Sequence, residues 1–218
     1  MASNGLTDGP LTIALPKGRL TDGALAHLAR AGYAMPRDLN EGRRLVVDGE
    51  DGRLRFILVK PSDVPVFVEY GAADVGIAGL DVVREAGRDV YEPTLLPFGY
   101  CRLVVAGKED RPDRPLRWEK SPKVATKFPR LTDAFFRVRG LSPEIIVMSG
   151  SVELAPLVGL ADMIVDLVQT GATLRENGLV ELRVVLESQA ALLANRASYR
   201  LRSRQVRELI DAVAGVRS

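Results

Sequence analysis

The sequence has few of the features that would place it in several large classes of protein. Its single cysteine, Cys101, excludes an intrachain disulfide and a metal site built from cysteines. No apolar run approaches the roughly 20 residues of a transmembrane helix. The segment Met1–Pro10 has neither the basic region nor the apolar region of a signal peptide. We therefore expect a cytoplasmic protein that does not cross a membrane.

Charge of one sign and aromatic residues are also scarce. Thirty Lys and Arg against 28 Asp and Glu give a net charge of +2, and only 6% of the residues are aromatic. Because nucleic-acid binding favours a basic stripe with interleaved aromatics, we expect no nucleic-acid partner. There is no Walker A loop, no Gly-x-Gly-x-x-Gly fingerprint, no candidate Ser-His-Asp set and no metal-ligand spacing. The one histidine, His27, is expected to be a surface or half-buried residue and not a ligand.

Short apolar runs alternate with helical patterns along the chain, which predicts an α/β fold with mostly parallel sheets. The predicted strands are Leu11–Leu15, Arg53–Lys60, Asp74–Ala78, Arg102–Ala106, Lys123–Thr126, Glu144–Met148, Ile164–Val168 and Val180–Glu187. The predicted helices are Thr21–Ala31, Val64–Tyr70, Leu80–Glu85, Leu131–Arg139, Glu153–Leu160 and Ser203–Val213. Parallel sheets bind ligands beyond the carboxyl ends of their strands, so the residues that follow these strands are the first site candidates.

The most informative segment is Met163–Leu174. A buried strand brings Asp166 to its carboxyl end, and a small turn rich in hydroxyl groups, Thr170-Gly-Ala-Thr173, follows it. Such a turn can direct several backbone N–H groups at one point, which is typical of a phosphate site. A carboxylate beside a phosphate site suits a sugar phosphate, although a buried strand with an ordinary polar turn would give the same local pattern.

Polar residues also follow other predicted strands. Lys17-Gly-Arg19 places two cations around a glycine that allows close approach to the backbone, although a solvated basic turn has the same sequence. Arg43-Arg44 is typical of a solvated face, but one arginine can also donate two parallel hydrogen bonds to a pair of phosphate oxygens. Glu153 opens a predicted helix, where an acid is often only a dipole or capping partner. Further strand ends carry Lys60, Gly79, Thr126, Lys127 and Ser149–Ser151.

Together these segments resemble ATP phosphoribosyltransferase, the first enzyme of histidine biosynthesis. Its signature is matched by Glu153, Gly159, Ala161, Ile164, Asp166, Leu167, Thr170-Gly171 and Thr173-Leu174. Other segments similar to the family are Ala14–Leu20, Ser62–Pro65, Gly71–Gly79 and Leu174–Leu179. The resemblance extends from about Leu11 to the C-terminal helix. One departure is Gln169, because an acid at this position would add a ribose contact.

The resemblance implies a reaction in which C1 of phosphoribosyl pyrophosphate (PRPP) is joined to N1 of ATP and pyrophosphate is released. It implies catalytic, electrostatic roles for Arg19 and Arg43. The implied PRPP-binding residues are Glu153, Asp166, Thr170, Gly171, Ala172, Thr173 and Leu174. The implied residues for ATP and pyrophosphate are Lys17, Gly18, Lys60 and Gly79. Mg²⁺ is expected to be carried by the substrate pyrophosphate, with few or no protein ligands.

The resemblance also implies an architecture of two α/β lobes resembling a type II periplasmic binding protein, with a ligand cleft between them. Lobe I is expected to comprise residues 1–99 and 190–218, and lobe II residues 100–189 with the loop for the PRPP 5′-phosphate. The sequence ends one helix beyond Leu201, so it resembles the short form, which lacks the regulatory domain of long forms. We expect a homodimer, and a hetero-oligomer with a regulatory subunit related to histidyl-tRNA synthetase.

Two other classes of protein fit parts of the pattern. A two-lobed domain that binds a solute or effector without catalysis would have similar alternation, but we would expect a signal peptide or an attached DNA-binding segment. A nucleobase phosphoribosyltransferase would have a similar loop, but two adjacent acids should precede it. Here Asp166 lies between Val165 and Leu167. Absorbance on mixing ATP, PRPP and Mg²⁺ distinguishes the leading hypothesis from both.

Overall fold

The structure, a computed structural model, describes residues 9–37, 45–108 and 121–216. The chain forms two compact units. The first comprises the described residues up to Gly99 and from Gln189 onward, and the second comprises Tyr100–Ser188. Gln189, which the sequence analysis assigned to the second lobe, therefore belongs to the first unit. Its carbonyl accepts a hydrogen bond from Leu80 N–H (2.9 Å), and its side-chain amide donates to Leu96 O (3.1 Å).

The first unit contains a six-stranded mixed sheet. Its strands are β1 (Leu11–Pro16), β2 (Val46–Asp48), β3 (Leu54–Val59), β4 (Val75–Gly79), β5 (Tyr91–Leu95) and β11 (Ala190–Ala194). The order across the sheet is β2–β3–β1–β4–β11–β5. Strand β1 is parallel to both β3 and β4, whereas β2, β11 and β5 pair antiparallel with their neighbours.

Helices cover both faces of this sheet because the central strands are apolar on both sides. Residues Ile13 and Leu15 of β1 pack with α1 (Thr21–Arg30) and α8 (Ser203–Gly215). The intervening Ala14 faces the opposite side, where α2 (Val64–Glu69) and α3 (Leu80–Ala86) pack. A short 3₁₀ turn, Pro61–Asp63, precedes α2, and α7 (Arg196–Leu201) precedes α8.

Asp74 connects β1 to the C-terminal helices of this unit. Its carboxylate accepts hydrogen bonds from Thr12 N–H (2.8 Å), Ser198 Oγ (2.7 Å) and the Arg202 guanidinium (2.7 Å). The Asp74 and Arg202 side chains are only 12% and 13% exposed. A buried carboxylate is tolerated here because each of these partners donates a hydrogen bond to it.

His27 is fully buried, so the expectation of a surface or half-buried histidine is wrong. Its Nε2 lies 2.9 Å from Val213 O in the last turn of α8, and its ring contacts Phe98. A carbonyl oxygen can only accept, so Nε2 carries the hydrogen. His27 therefore satisfies one of the carbonyl groups that a helix end leaves without an intrahelical partner.

The second unit contains a five-stranded mixed sheet. Its strands are β6 (Cys101–Lys108), β7 (Lys123–Thr126), β8 (Glu144–Val147), β9 (Met163–Val168) and β10 (Leu179–Ser188). They lie in the order β10–β6–β9–β7–β8, with β7, β8 and β9 mutually parallel and β6 and β10 antiparallel to their neighbours. Helix α4 (Pro129–Arg137) belongs to one apolar cluster, whereas α5 (Leu154–Leu157) and α6 (Ala172–Glu176) belong to the other.

The α/β class with two sheets is confirmed, but the sheets are mixed and not mostly parallel. The predicted strands were found within one or two residues of their expected ends, while β2, β5 and β11 were not predicted. Helix α5 is shorter than the predicted Glu153–Leu160, because Gly159 adopts a positive φ of 75° directly after it. Within the described ranges, no helix has the length and apolar content needed to span a bilayer.

Candidate active site

In the first unit, the proposed ATP and pyrophosphate residues lie at one edge of the sheet. Strands β1, β3 and β4 run parallel, so the residues that follow them emerge on the same side. The backbone N–H of Lys17 donates to Val59 O (2.8 Å), which places Lys17 next to the peptide bond that joins Val59 to Lys60. Both lysines are exposed, and Gly79 ends β4 at the same edge.

The turn after β1 depends on Gly18. Its φ of 99° lies in the left-handed region, which a residue with a Cβ rarely adopts. The Thr21 hydroxyl donates toward Pro16 O (2.7 Å) and Gly18 O (2.8 Å), and thereby fixes the turn at the start of α1. The exposed Arg19 donates from Nη1 to Gly99 O (3.0 Å). This part of the chain therefore presents two cations on a turn of defined shape.

Gly79 is required where β4 meets α3. A Cβ at this position would collide with the carboxylate of Asp81, which is 1% exposed. The backbone of Gly79 therefore remains without a side chain at the edge that carries Lys17 and Lys60. Gly79 is itself buried, and the Asp81 carboxylate occupies the space beside its Cα.

In the second unit, the loop between β9 and α6 has the geometry expected of a phosphate site. Gly171 adopts a positive φ of 73° and caps α6, whose first turn begins with Arg175 N–H donating to Gly171 O (3.1 Å). The first N–H groups of a helix have no intrahelical acceptors, and here Ala172 N–H makes only a long hydrogen bond to Thr170 Oγ1 (3.4 Å), so an anion could replace this acceptor. Thr170 and Thr173 are exposed, and Leu174 is buried and anchors the helix to the sheet.

Arg175 stabilises this loop, and the sequence analysis gave it no role. Its Nη1 donates to Thr170 O (3.1 Å). A Cβ on Gly171 would lie 3.0 Å from this nitrogen and 3.4 Å from Glu181 Oε1. The signal available in the sequence was the four-residue spacing of Gly171 and Arg175, which brings the arginine back over the first turn of a helix. Because helix α6 was not predicted, this spacing could not be interpreted as a helical contact.

Asp166 lies on the face of β9 that carries this loop. In the alternation of the strand it shares that face with Ile164 and Val168, which pack against α5 and α6. Burial raises the pKa of Asp166 above its ordinary value. A hydrogen bond from Leu167 N–H (2.9 Å) and the charge of Lys127 lower this pKa, and the charge of Glu153 raises it. A desolvated carboxylate close to a second one is typical of a functional site.

Glu153 precedes α5 and is partly buried. Its side chain makes no capping hydrogen bond to that helix, so the interpretation of Glu153 as a simple capping residue is not supported. The chain reaches it through Ser151, whose φ of 46° is the one positive value for a non-glycine residue in the part of the chain that the structure describes. Strained backbone of this kind is found preferentially at functional sites.

The predicted site residues therefore form two groups, one in each unit. Lys17, Gly18, Arg19, Lys60 and Gly79 lie in the first unit, and Glu153, Asp166 and the loop Thr170–Leu174 lie in the second. Gln169 is exposed between β9 and the loop. Arg43 and its neighbour Arg44 lie outside the described residues.

Comparison with known proteins decides the family. The profile of the family HisG: ATP phosphoribosyltransferase matches residues 60–215. An ATP phosphoribosyltransferase of Geobacillus kaustophilus is 50% identical over 206 residues, which cover 94% of this chain and 98% of that relative. This chain belongs to the ATP phosphoribosyltransferase family. The matched region contains Lys60, Gly79 and every proposed PRPP-binding residue.

One solved structure agrees with this membership in the ATP phosphoribosyltransferase family. The ATP phosphoribosyl transferase (HisG:HisZ) complex from Thermotoga maritima contains a chain with 33% identity and a TM-score of 0.80, covering 94% of this chain and 96% of that one. The structure of Tv2483 bound to L-arginine has 13% identity and a TM-score of 0.56, covering 94% and 84%. The second likeness concerns the fold alone. The family and the fold class expected from the sequence are confirmed.

Proposed function

We propose that this chain transfers the phosphoribosyl group of PRPP to N1 of ATP, giving N1-(5-phospho-β-D-ribosyl)-ATP and pyrophosphate in the first step of histidine biosynthesis. Membership in the ATP phosphoribosyltransferase family supports the reaction. The observation that carries the assignment to this site is the pair of neighbouring carboxylates, Asp166 and Glu153, beside the Gly171 turn. This combination suits a ribose with a 5′-phosphate.

The turn Thr170–Leu174 is proposed to bind the PRPP 5′-phosphate. Gly171, at a φ of 73°, precedes the first turn of α6, whose amides would donate to the phosphate, and the exposed hydroxyls of Thr170 and Thr173 can also donate to phosphate oxygens. Leu174 and Ala172 are assigned through their backbone, since neither side chain can bind a phosphate. Arg175 holds Thr170 O and thereby keeps the turn in shape.

Asp166 and Glu153 are proposed to accept hydrogen bonds from the ribose hydroxyls. Their charges also favour the positive charge that develops on the ribose as the bond from C1 to the pyrophosphate oxygen breaks. The N1 lone pair of adenine forms the new bond to C1, and the electron pair of the broken bond leaves with pyrophosphate. Adenine N1 carries no proton, so positioning and charge are sufficient and no general base is assigned.

The cations of the first unit are proposed to act on ATP and on the leaving pyrophosphate. Arg19 and, by family resemblance, Arg43 would stabilise the growing negative charge, with Lys17 and Lys60 contacting phosphate oxygens. Gly18 would allow these groups close to the backbone, and Gly79 would serve the same edge by leaving room for the Asp81 carboxylate.

Magnesium is proposed to enter with the substrate, bound to the pyrophosphate oxygens of PRPP, which are ligands that Mg²⁺ prefers. Among the described residues there is no group of three or more His, Cys, Asp or Glu side chains that could hold a metal ion.

We further propose that the chain works as a homodimer within a hetero-oligomer in the cytoplasm, with a regulatory subunit related to histidyl-tRNA synthetase. The similarity to a chain of the HisG:HisZ complex from Thermotoga maritima, over nearly the full length of both chains, supports an assembly of two kinds of subunit. The measured mass of the purified chain, alone and with a candidate regulatory subunit, tests both parts of this proposal.

Ultraviolet absorbance tests the reaction itself. Alkylation at N1 changes the absorption of adenine, so a spectral change is expected when the protein is mixed with ATP, PRPP and Mg²⁺. Omission of either substrate is the control. The absence of any change, with and without a regulatory subunit, would reject the proposed function and favour the alternative, a two-lobed small-molecule-binding domain. The names of the relatives do not favour that alternative.

A further inference from the structure

We propose that Lys127 is a further substrate-binding residue, which contacts a phosphate group of PRPP from the end of β7. This inference rests on the proposed function and adds a residue to the same site. Lys127 follows β7 directly and is exposed. It lies at the sheet edge where β9 leads into the Gly171 turn, because β7 and β9 are parallel.

The strand register places Lys127 beside Asp166. Ala125 pairs with Ile164 and Thr126 with Val165, so the next residues along the two chains are Lys127 and Asp166. Ala125 and Ile164 both pack in the apolar cluster under α5 and α6. The alternation of side chains therefore directs Lys127 toward the face that carries Asp166.

Thr126 fixes the backbone on both sides of Lys127. Its hydroxyl is completely buried and donates to Val165 O (2.7 Å), one residue before Asp166. The hydroxyl oxygen of Thr126 in turn accepts from Phe128 N–H (2.9 Å) and from Thr132 Oγ1 (3.3 Å). Thr126, which the sequence analysis grouped with possible ligand residues, is therefore a positioning residue. It holds the chain at Lys127 in a defined direction.

Electrostatics give Lys127 a function at this position. Asp166 and Glu153 are two carboxylates at a site proposed for a polyanionic substrate, and they repel its phosphates. The positive charge of Lys127 is close enough to lower the pKa of Asp166. A cation at the same edge offsets the repulsion while leaving both carboxylates free to accept ribose hydrogen bonds.

Steady-state kinetics with Lys127→Met test the proposal, since methionine keeps the length and removes the charge. We expect kcat/KM for PRPP to fall roughly 10- to 100-fold, the effect of one hydrogen bond to a charged group. The KM for ATP should stay within about twofold of the original value, and Lys127→Arg should recover most of the activity. Lys123→Met is the matched control, because Lys123 lies at the other end of β7 and pairs with Glu144 at 3.8 Å.

Calorimetric titration distinguishes the two phosphate groups that Lys127 could contact. Weaker binding of ribose 5-phosphate by Lys127→Met assigns it to the 5′-phosphate, and weaker binding of pyrophosphate assigns it to the leaving group. Either result supports the proposal. It is overturned if Lys127→Met matches the unmodified protein in both titrations and in the PRPP kinetics. Inactivity of the unmodified protein would instead count against the proposed function, and the titrations would still test Lys127.

Discussion

Substitution of Gly171 by alanine should strain the turn Thr170–Leu174 and displace the side chain of Arg175. At φ 73° the residue is in the left-handed region, which costs an L-residue roughly 1–2 kcal/mol. For a chain of this size, that cost corresponds to a fall in Tm of about 2–8 °C. The new Cβ would also lie 3.0 Å from Arg175 Nη1 and displace the guanidinium that donates to Thr170 O.

Both effects act on the proposed phosphate turn, so the substitution should weaken PRPP binding. If the turn relieves 1–2 kcal/mol of strain by adopting another conformation, the fraction of molecules whose turn can bind PRPP falls roughly 5- to 30-fold. The KM for PRPP should rise by the same factor, while the KM for ATP changes little. Initial rates at varied PRPP and saturating ATP, together with thermal unfolding, measure the two consequences separately.

Gly140→Ala is the matched control for backbone strain. Gly140 has nearly the same φ, 74°, and nothing lies within 4 Å of a Cβ added there. It follows α4 and precedes β8, at the edge of the sheet opposite the Gly171 turn. Both variants should lose stability through the same backbone strain, with a further loss in Gly171→Ala from the contact with Arg175, but only Gly171→Ala should raise the KM for PRPP. Equal KM values in the two variants would refute a role of the turn in PRPP binding.

Asp166→Asn should lower kcat by on the order of 10²–10³ yet raise Tm at neutral pH. The direction of the stability change follows from the burial of Asp166, which raises its pKa, so the folded state holds the proton more tightly than the unfolded state. The stability of the unmodified protein therefore falls as the pH rises from 3.8, the ordinary pKa, through the folded pKa. The gain in Tm from Asp166→Asn should therefore vanish below pH 3.8, where both states are protonated. A gain that persisted at that pH would show that burial of the charged carboxylate is not its cause. By carboxyl NMR titration, Lys127→Met should raise the pKa of Asp166 and Glu153→Gln should lower it; shifts of the same sign would contradict the arrangement of charges. Asp74→Ala breaks a buried ion pair and should cost about 3–5 kcal/mol in chemical denaturation. The exposed pair Arg196–Asp89 is the control, and Asp89→Ala should cost less than about 1 kcal/mol.

The strands that carry the site could be predicted because their sequences are unambiguous. Strand β1 is buried on both faces, so Leu11–Pro16 is apolar except for the half-buried Thr12, and it ends at a proline. The run Met163–Val168 in β9 is interrupted only by Asp166, and the cost of burying an acid in such a run indicates a function for it. The left-handed conformation of Gly171 fits its position in a short turn rich in hydroxyl groups.

Other elements could not be predicted because tertiary contacts determine them. The segment Ala190–Ala194 is an apolar run that suits a helix or a strand, and it becomes β11 because it pairs with β4 and β5. Helix α6 has five residues, too few for a periodic pattern. The environment of His27 is set by α8, which lies 186 residues away along the chain. No local pattern reports such a contact.

Isotope labelling can show directly whether the protein joins C1 of PRPP to N1 of ATP. The protein should be incubated with Mg²⁺, with PRPP carrying a heavy carbon isotope at C1 and with ATP carrying a heavy nitrogen isotope at N1, and the product examined by NMR. We expect a one-bond carbon–nitrogen coupling and release of one pyrophosphate for each ATP consumed. Label that remains in PRPP, or appears in free ribose 5-phosphate without coupling to nitrogen, would contradict it.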